Sequence, residues 1–299
     1  MNNQIMEARN SVKKLNSMRD VVVAMANTAC ADDKIALESL LQVGENCRQI
    51  GAHEAAARVF SKICEHFPQH SHASKLRDIL CERKMRGKDI EEGPIPFVHV
   101  RDFLSSELRD LLLQMVIADR EKFGDATTFN SDAEMVVSAG DRLGRVLRFD
   151  LINPYMKLFL PELLRALREI PILSRLGDLE ISHKRIELQV TNYSDGDFFA
   201  KHVDDDIGPH RDRRVSFVYY LRRTPDSFYG GDLLLHDREK TSSSGSSRSF
   251  TRILPLDNSI VFFPSSCLHE VLPTFVESGR HEDGRISVNG WLLSKSQPD

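Results

Sequence analysis

Residues 193–204 read YSDGDFFAKHVD, and two later residues complete the pattern, His269 in CLHEV and Arg285 in RISVNGW. A histidine and a carboxylate two positions apart, His202 and Asp204, point to the same side of an extended strand and can reach one metal together. The third ligand has to come from a distant strand. His269 is the candidate, because LDNSIVFFPSSCLHEV holds two short apolar runs, 260–263 and 267–271, parted by a Pro-Ser-Ser turn. The chain is therefore expected to bring sequence-distant strands together around one point. Two histidines and one carboxylate are the set that holds Fe(II) on one face and leaves the other open for a cosubstrate and oxygen. An oxygenase is the leading reading.

A His-x-Asp triplet is cheap in a chain with 11 histidines and 28% charged residues, and it occurs three times. The other two are His210-Arg211-Asp212, inside GPHRDRR, and His281-Glu282-Asp283, inside ESGRHEDG. Both segments read as solvated loops, where a metal would lack a rigid wall and the outer hydrogen bonds that orient ligands. The first triplet is framed instead by strand-like IELQVTNY, a turn at Gly196 and the aromatic pair Phe198 and Phe199.

The first 90 or so residues carry few Gly or Pro and no strand alternation, and read as helical. Cysteines recur at 30, 47, 64 and 81, a step of 17. Twice that step is the period of a tetratricopeptide helix pair, about 34 residues. Residues 37–70 resemble one such repeat. Leu40, Val43, Gly44 and Cys47 lie on a first helix, Gly51 at the turn, then Ala56, Phe60 and Ile63, with Pro68 at the end. Gly44 and Ala56 would let the helices approach closely while Phe60 fills the groove. One repeat does not bury its own face, so a packed helical cap is preferred over a peptide-binding array. The cysteine step carries no close ligand pair and is read as helix packing.

A charged linker, KMRGKDIEEGPIP, separates this part from the rest. The expected domains are 1–92, helical and tetratricopeptide-like, and 93–299. In the second, a helix is expected after Ser105 and another over 162–170, and from Arg185 onward about eight short strands with turns between them suit a double-stranded β-helix, or jelly roll. The fold class is α+β. Two polar segments, 123–145 and 238–250, read as loops, the first as a candidate cover over substrate.

The chain resembles the Fe(II)/2-oxoglutarate-dependent dioxygenases, and within them the prolyl-4-hydroxylase-like branch, from about residue 96 to 293. The motifs are Tyr193 with Gly196, Phe199, His202 and Asp204; Tyr219-Tyr220-Leu221; Gly230-Gly231-Asp232-Leu233; Phe263-Pro264; His269-Glu270-Val271; and Arg285-Ile286-Ser287 with Trp291. Six elements in order are specific where one would be weak. The resemblance implies that His202, Asp204 and His269 bind Fe(II). It implies that Arg285, with Ser287 beside it, grips the distal carboxylate of 2-oxoglutarate, for which a planar guanidinium is suited. Tyr193 or Tyr220, or both, would add a phenolic hydrogen bond. Asn289 and Trp291 continue the Arg285 face and would line the substrate pocket, ordinary core packing being the alternative for both. The gap between His269 and Arg285 is longer than in many members and contains Arg280, a rival for the carboxylate. Arg285 is preferred because it opens an apolar alternation, Ile286, Val288, Gly290 and Leu292.

The implied cosubstrates are 2-oxoglutarate and O2, with ascorbate a candidate reductant and hydroxylation of a C–H bond the expected outcome. A prolyl residue of a protein or peptide is the first substrate expectation, and a free amino acid or small biosynthetic intermediate the second. A different class is a non-catalytic jelly roll that holds a metal or ligand and recruits a partner through its helices. A net charge of -4 without a long Lys/Arg block gives no support for a nucleic-acid backbone binder. No apolar run approaches the roughly 18 to 20 residues of a spanning helix, so no membrane partner is expected. Five cysteines without short paired spacings suggest reduced thiols and a cytoplasmic setting. A homodimer and a protein partner for the helical part stay open.

Overall fold

The computed structural model describes residues 2–85, 92–129, 135–136, 140–147, 152–205, 208–238 and 249–295. Its contacts divide the chain into two compact units. The first is residues 1–96 with 174–178 and 234–253; the second is 97–173, 179–233 and 254–299. Residues 234–253 thus group with the N-terminal helices, although the sequence reading places them in the C-terminal domain. Much of the linker, most of the segment 238–250 and part of the segment 123–145 lie outside the described residues.

Four helices build the first unit: α1 (Asn2–Ala31), α2 (Leu37–Gln49), α3 (His53–His66) and α4 (Ser71–Leu80). Their apolar residues recur at helical spacing, Leu40, Gly44 and Cys47 on α2, and Ala56, Val59, Phe60 and Ile63 on α3, all buried. The Phe60 ring lies over Gly44, where an added Cβ would sit 2.8 Å from it. Gly44 is therefore fixed by the close approach of two helices, as the repeat-like spacing suggests. A buried polar knot lies in the same unit. Arg48 is fully buried and donates to both oxygens of Asp237, at 2.7 and 2.9 Å, to Glu45 at 2.7 Å and to Thr251 at 3.1 Å. All four cysteines of the 17-step are free thiols, Cys47 and Cys64 buried and Cys81 exposed. Among the described residues no helix is long and apolar enough to cross a membrane.

The second unit carries the strands β1 (Val98–Val100), β2 (Phe123–Asp125), β3 (Thr128–Phe129), β4 (Met135–Val136), β5 (Arg142–Leu143), β6 (Arg145–Leu147), β7 (Ile186–Tyr193), β8 (Phe198–His202), β9 (Arg213–Leu221) and β10 (Tyr229–Gly230). After β11 (Leu233–His236) and β12 (Phe250–Ile253) come β13 (Ser259–Pro264), β14 (His269–Val271), β15 (Thr274–Phe275) and β16 (Arg285–Leu293). A seven-stranded antiparallel sheet runs β1-β13-β9-β16-β7-β6-β2, and β14, β8 and β5 follow one another in a second sheet. The architecture is the jelly roll expected from the strand count, built mostly from strands that pair with partners far along the chain.

Two helices brace it. α5 (Ser106–Ala118) starts where Ser105 accepts a hydrogen bond from the Leu108 N–H at 3.3 Å, an N-cap that satisfies one of the free donors of the first turn. α6 spans Asn153–Glu169, nine residues more at its start than the sequence suggests, and contains Pro161. An interior proline removes a backbone hydrogen bond and costs about 3 kcal/mol. Here the buried row Tyr155, Phe159, Leu163 and Ala166 carries the helix through it. The segment 123–145 is also not the polar loop expected. Its ends are β2 and β6, which pair with each other in the large sheet, and Arg142 pairs with Phe199 of β8.

Candidate metal and cosubstrate site

Strand pairing places two histidines face to face, because β14 lies antiparallel to β8 with His269 opposite His202. A register shift between His269 and Val271 follows directly, so the ladder is broken beside the pair. Asp204 is not on the strand, as the two-residue spacing suggests, but just past its end. Its N–H donates to the Ser265 carbonyl at 2.9 Å, which carries the carboxylate back toward the histidines. The result is His202 Nε2 3.6 Å from one Asp204 oxygen and His269 Nε2 3.6 Å from the other. Among the described residues these three form the one group of His, Cys, Asp or Glu side chains able to hold a metal ion, with ligand atoms within 4.8 Å of one another.

Backbone carbonyls fix the tautomers. His202 Nδ1 lies 2.8 Å from the Ala200 oxygen and His269 Nδ1 2.8 Å from the Cys267 oxygen. A carbonyl only accepts, so Nδ1 of each ring bears the proton and each Nε2 lone pair is left for the centre. Burial, with His269 beside it, pushes the His202 imidazole down to about 3, so the ring is neutral, as a ligand must be. Burial works to raise the Asp204 carboxyl, but the neighbouring His269 and His202 and the Ser216 hydroxyl overcome it and hold the group well below the usual range, at about 2. The Ser216 hydroxyl donates to Asp204 at 2.6 Å and lies 3.0 Å from the Ser265 hydroxyl. Packing fixes the rings: Phe199 stacks on His202 with centroids 3.5 Å apart, and Phe263 meets His269 edge-on at 4.9 Å.

The triad lines a small cavity of about 60 Å3, together with the sequence-predicted Tyr193, Arg285, Asn289 and Trp291. Arg285 lies opposite Tyr193 in the β7–β16 ladder, and Ser287 lies opposite Tyr220 in the β9–β16 ladder. Its guanidinium is 2% exposed and donates from Nε to the Gly231 carbonyl at 2.6 Å, with the Tyr193 and Tyr220 rings 5.2 and 4.9 Å away. Ser287 is at the limit of hydrogen-bond reach, 3.5 Å from Arg285 Nη1. Ser287 and Tyr220 stand beside Arg285 rather than in the cavity wall. Asn289 donates to Thr191 at 2.7 Å, and the Trp291 ring lies under Arg213 at 3.6 Å.

The residues present suit an anionic, oxygen-rich group at Arg285. The Tyr220 hydroxyl, which burial pushes up to about 12 and so keeps protonated, sits beside the Arg285 guanidinium without an acceptor for its own proton, and the buried Thr274 Oγ1 has no hydrogen-bond partner. A Cβ on Gly231 would fall on Arg285 Cδ and lie 2.7 Å from Thr274 Oγ1, so the missing side chain keeps the space around the guanidinium open. The rival Arg280 is turned elsewhere: its side chain is 54% exposed and pairs with Asp283 at 2.6 Å. The other two triplets are spoken for as well, Asp212 by Arg185 at 2.7 Å and Asp283 by Arg223, Ser278 and Arg280.

Four residues of the site were missed in sequence. Thr274 sits on a two-residue strand in a segment without periodicity, Ser216 is one serine among apolar strand residues, and Arg142 and Gln189 approach the cavity only through strand register. Gln189 alone had a signal, its place on the same strand face as Tyr193, four residues before it.

A sequence profile described as "2OG-Fe(II) oxygenase superfamily" matches residues 188–293. A protein of Synechocystis sp. (strain ATCC 27184 / PCC 6803 / Kazusa), called an uncharacterized PKHD-type hydroxylase, is 31% identical over 206 residues, 68% of this chain and 64% of its own length. The chain thus spans just under two thirds of that relative. A PKHD-type hydroxylase of Maricaulis maris (strain MCS10) is 24% identical over 199 residues, 66% of this chain and 77% of that protein. Among solved structures, a Pseudomonas putida prolyl-4-hydroxylase is similar at 20% identity and a TM-score of 0.45, covering 70% of this chain and 97% of that one. Residues 188–293, which carry the triad and its arginine, are thus the part of the chain that is similar to the 2OG-Fe(II) oxygenase superfamily.

Proposed function

We propose that the chain is an Fe(II)- and 2-oxoglutarate-dependent dioxygenase that hydroxylates an unactivated C–H bond. The observation that carries this is the joint presence, in one cavity, of a neutral-His, neutral-His, carboxylate triad and a buried arginine flanked by unsatisfied hydroxyl groups. A pure binding module has no use for both. His202, Asp204 and His269 would hold the iron, and Arg285 with Tyr220, Thr274, Ser287 and Tyr193 would hold the distal carboxylate of 2-oxoglutarate. Bound there, iron with 2-oxoglutarate supplies oxidative decarboxylation to succinate and carbon dioxide coupled to oxygen transfer.

The chain's own residues do the rest. Ala200 and Cys267 carbonyls hold the imidazole protons away from the centre, Ser216 fixes the carboxylate, and Phe199 and Phe263 pack against the two imidazole rings. Substrate has to enter along the wall formed by Arg142, Gln189, Asn289 and Trp291. A prolyl residue in a peptide is the first substrate reading, supported by the motif order of residues 193–291. A free amino acid or small intermediate is the second. Ascorbate as reductant, the division at residue 92/93, a packing or partner-docking role for the helices and a cytoplasmic setting belong to the same proposal. The test is turnover under labelled oxygen: the purified protein with Fe(II), 2-oxoglutarate and 18O2 should yield succinate carrying one label, at a slow substrate-free rate that His202→Ala abolishes. Unlabelled or absent succinate at every iron and 2-oxoglutarate concentration would reject the reading.

A further inference from the structure

We infer that Arg142 is a substrate-binding residue and that the substrate presents a carboxylate to it; this rests on the dioxygenase reading. Arg142 is 8% exposed and lines the same cavity as His202, Asp204 and Arg285. Its acceptors are neutral and distant, the Gln189 amide oxygen at 3.2 Å and the Thr127 carbonyl at 3.4 Å, and its Nε has no partner at all. Among the described residues no carboxylate pairs with it. The other buried arginines of the second unit differ: Arg213 is held by Glu187 at 2.6 Å, and Arg285 faces the place proposed for 2-oxoglutarate.

A guanidinium is always charged, and a buried charge is retained where something compensates it. Its planar fork fits a carboxylate with two parallel hydrogen bonds. The Arg142 guanidinium stands 4.7 Å from the Phe199 ring that stacks on His202, and its hydrogen bonds go to Gln189 and Thr127 rather than to His202, Asp204 or His269. The compensating anion is therefore one that arrives. Arg285 and Arg142 give the cavity two cationic ends, one for each of two anionic molecules. The carboxylate could be that of a free or N-acylated amino acid, or an acidic side chain of a peptide.

The test uses the full chain loaded anaerobically with Fe(II) and 2-oxoglutarate, titrated calorimetrically with two matched pairs: N-acetylproline against its amide, and a proline hexapeptide flanked by glutamates against the same peptide flanked by glutamines. At least one acid is expected to bind 30-fold or more tighter than its neutral partner, the loss seen when a buried charge pair loses one member being about that size or larger. Preference within the first pair points to a small molecule, and within the second to an acidic peptide. Arg142→Gln should erase the preference, Arg142→Lys should restore part of it, and both should bind 2-oxoglutarate within about twofold of wild type. Equal binding of acid and neutral partner, or no binding of either acid while 2-oxoglutarate binds normally, overturns the inference and leaves the dioxygenase reading standing. A loss of iron or 2-oxoglutarate affinity in Arg142→Gln that matches the substrate loss also overturns it, making Arg142 a positioning residue for Phe199 and His202. Failure of the wild type to bind 2-oxoglutarate removes both.

Discussion

Replacing Gly231 by alanine separates the proposed cosubstrate grip from ordinary stability. Gly231 has φ of +65°, and a Cβ there would fall on Arg285 Cδ, 3.1 Å from Arg285 Nε and 2.7 Å from Thr274 Oγ1. Two costs follow. The left-handed backbone costs an L-residue about 1–2 kcal/mol, a loss felt in folding. The guanidinium must also move, which weakens its Nε bond to the Gly231 carbonyl and misplaces the fork that would hold the carboxylate. One charge-assisted hydrogen bond is worth about 1.5–3 kcal/mol, so 2-oxoglutarate affinity should fall by about 10- to 150-fold. Gly279→Ala supplies the control, since Gly279 has φ of +63° and nothing within 4 Å of the added carbon. Both variants should lose the backbone cost in urea unfolding, Gly231→Ala with the cost of the buried clash in addition, and calorimetry of the metal-loaded protein with 2-oxoglutarate should show the affinity loss in Gly231→Ala alone. Unchanged affinity in Gly231→Ala, alongside the shared loss of stability, would remove Arg285 from the cosubstrate site.

Ser216→Ala deletes the hydroxyl that donates to Asp204 at 2.6 Å and should lower metal affinity by about 10- to 100-fold while leaving the unfolding midpoint nearly unchanged, as read by competitive Mn(II) titration. Arg48→Met leaves Asp237 buried without its partner and should destabilise the protein by about 3–5 kcal/mol in urea, with Arg48→Met/Asp237→Leu recovering much of the loss. Stability of the metal-free protein should decline as pH falls from about 6.5 toward 4. The His202 imidazole is held at about 3 in the folded state and titrates near 6.5 when unfolded, so the unfolded chain takes up protons that the folded chain refuses. The slope is at most about 1.4 kcal/mol per pH unit for each such group, and His202→Asn should flatten it; a slope unchanged in that variant would assign the acid sensitivity elsewhere.

The triad could be read from sequence because its chemistry is written locally: a histidine and a carboxylate at strand spacing, and a later histidine in an apolar run. What the spacing misjudged is the backbone, since Asp204 lies beyond the strand and is returned by its bond to Ser265. Arg285 was legible through the alternation that follows it, whereas Thr274, Ser216 and Arg142 were not. Each reaches the site through pairings between distant strands, Ser216 with Phe263, Thr274 with Gly230 and Arg142 with Phe199, and nothing in the neighbouring residues records such a partner. Helix boundaries failed for a related reason. The helix expected over 162–170 begins after Pro161, and only the buried row from Tyr155 to Ala166 shows why α6 runs through that proline. In the first unit Gly44 and Phe60 were legible because helix packing there is between neighbours in sequence.

The central claim is that one cavity holds iron and 2-oxoglutarate together. Anaerobic titration of the metal-free protein with Fe(II) and 2-oxoglutarate should develop the visible charge-transfer band of a bidentate 2-oxoglutarate–iron complex, lost in His202→Ala and weakened in Arg285→Ala. A wild-type protein that binds neither metal nor 2-oxoglutarate, with no band at saturating concentrations of both, would contradict the account.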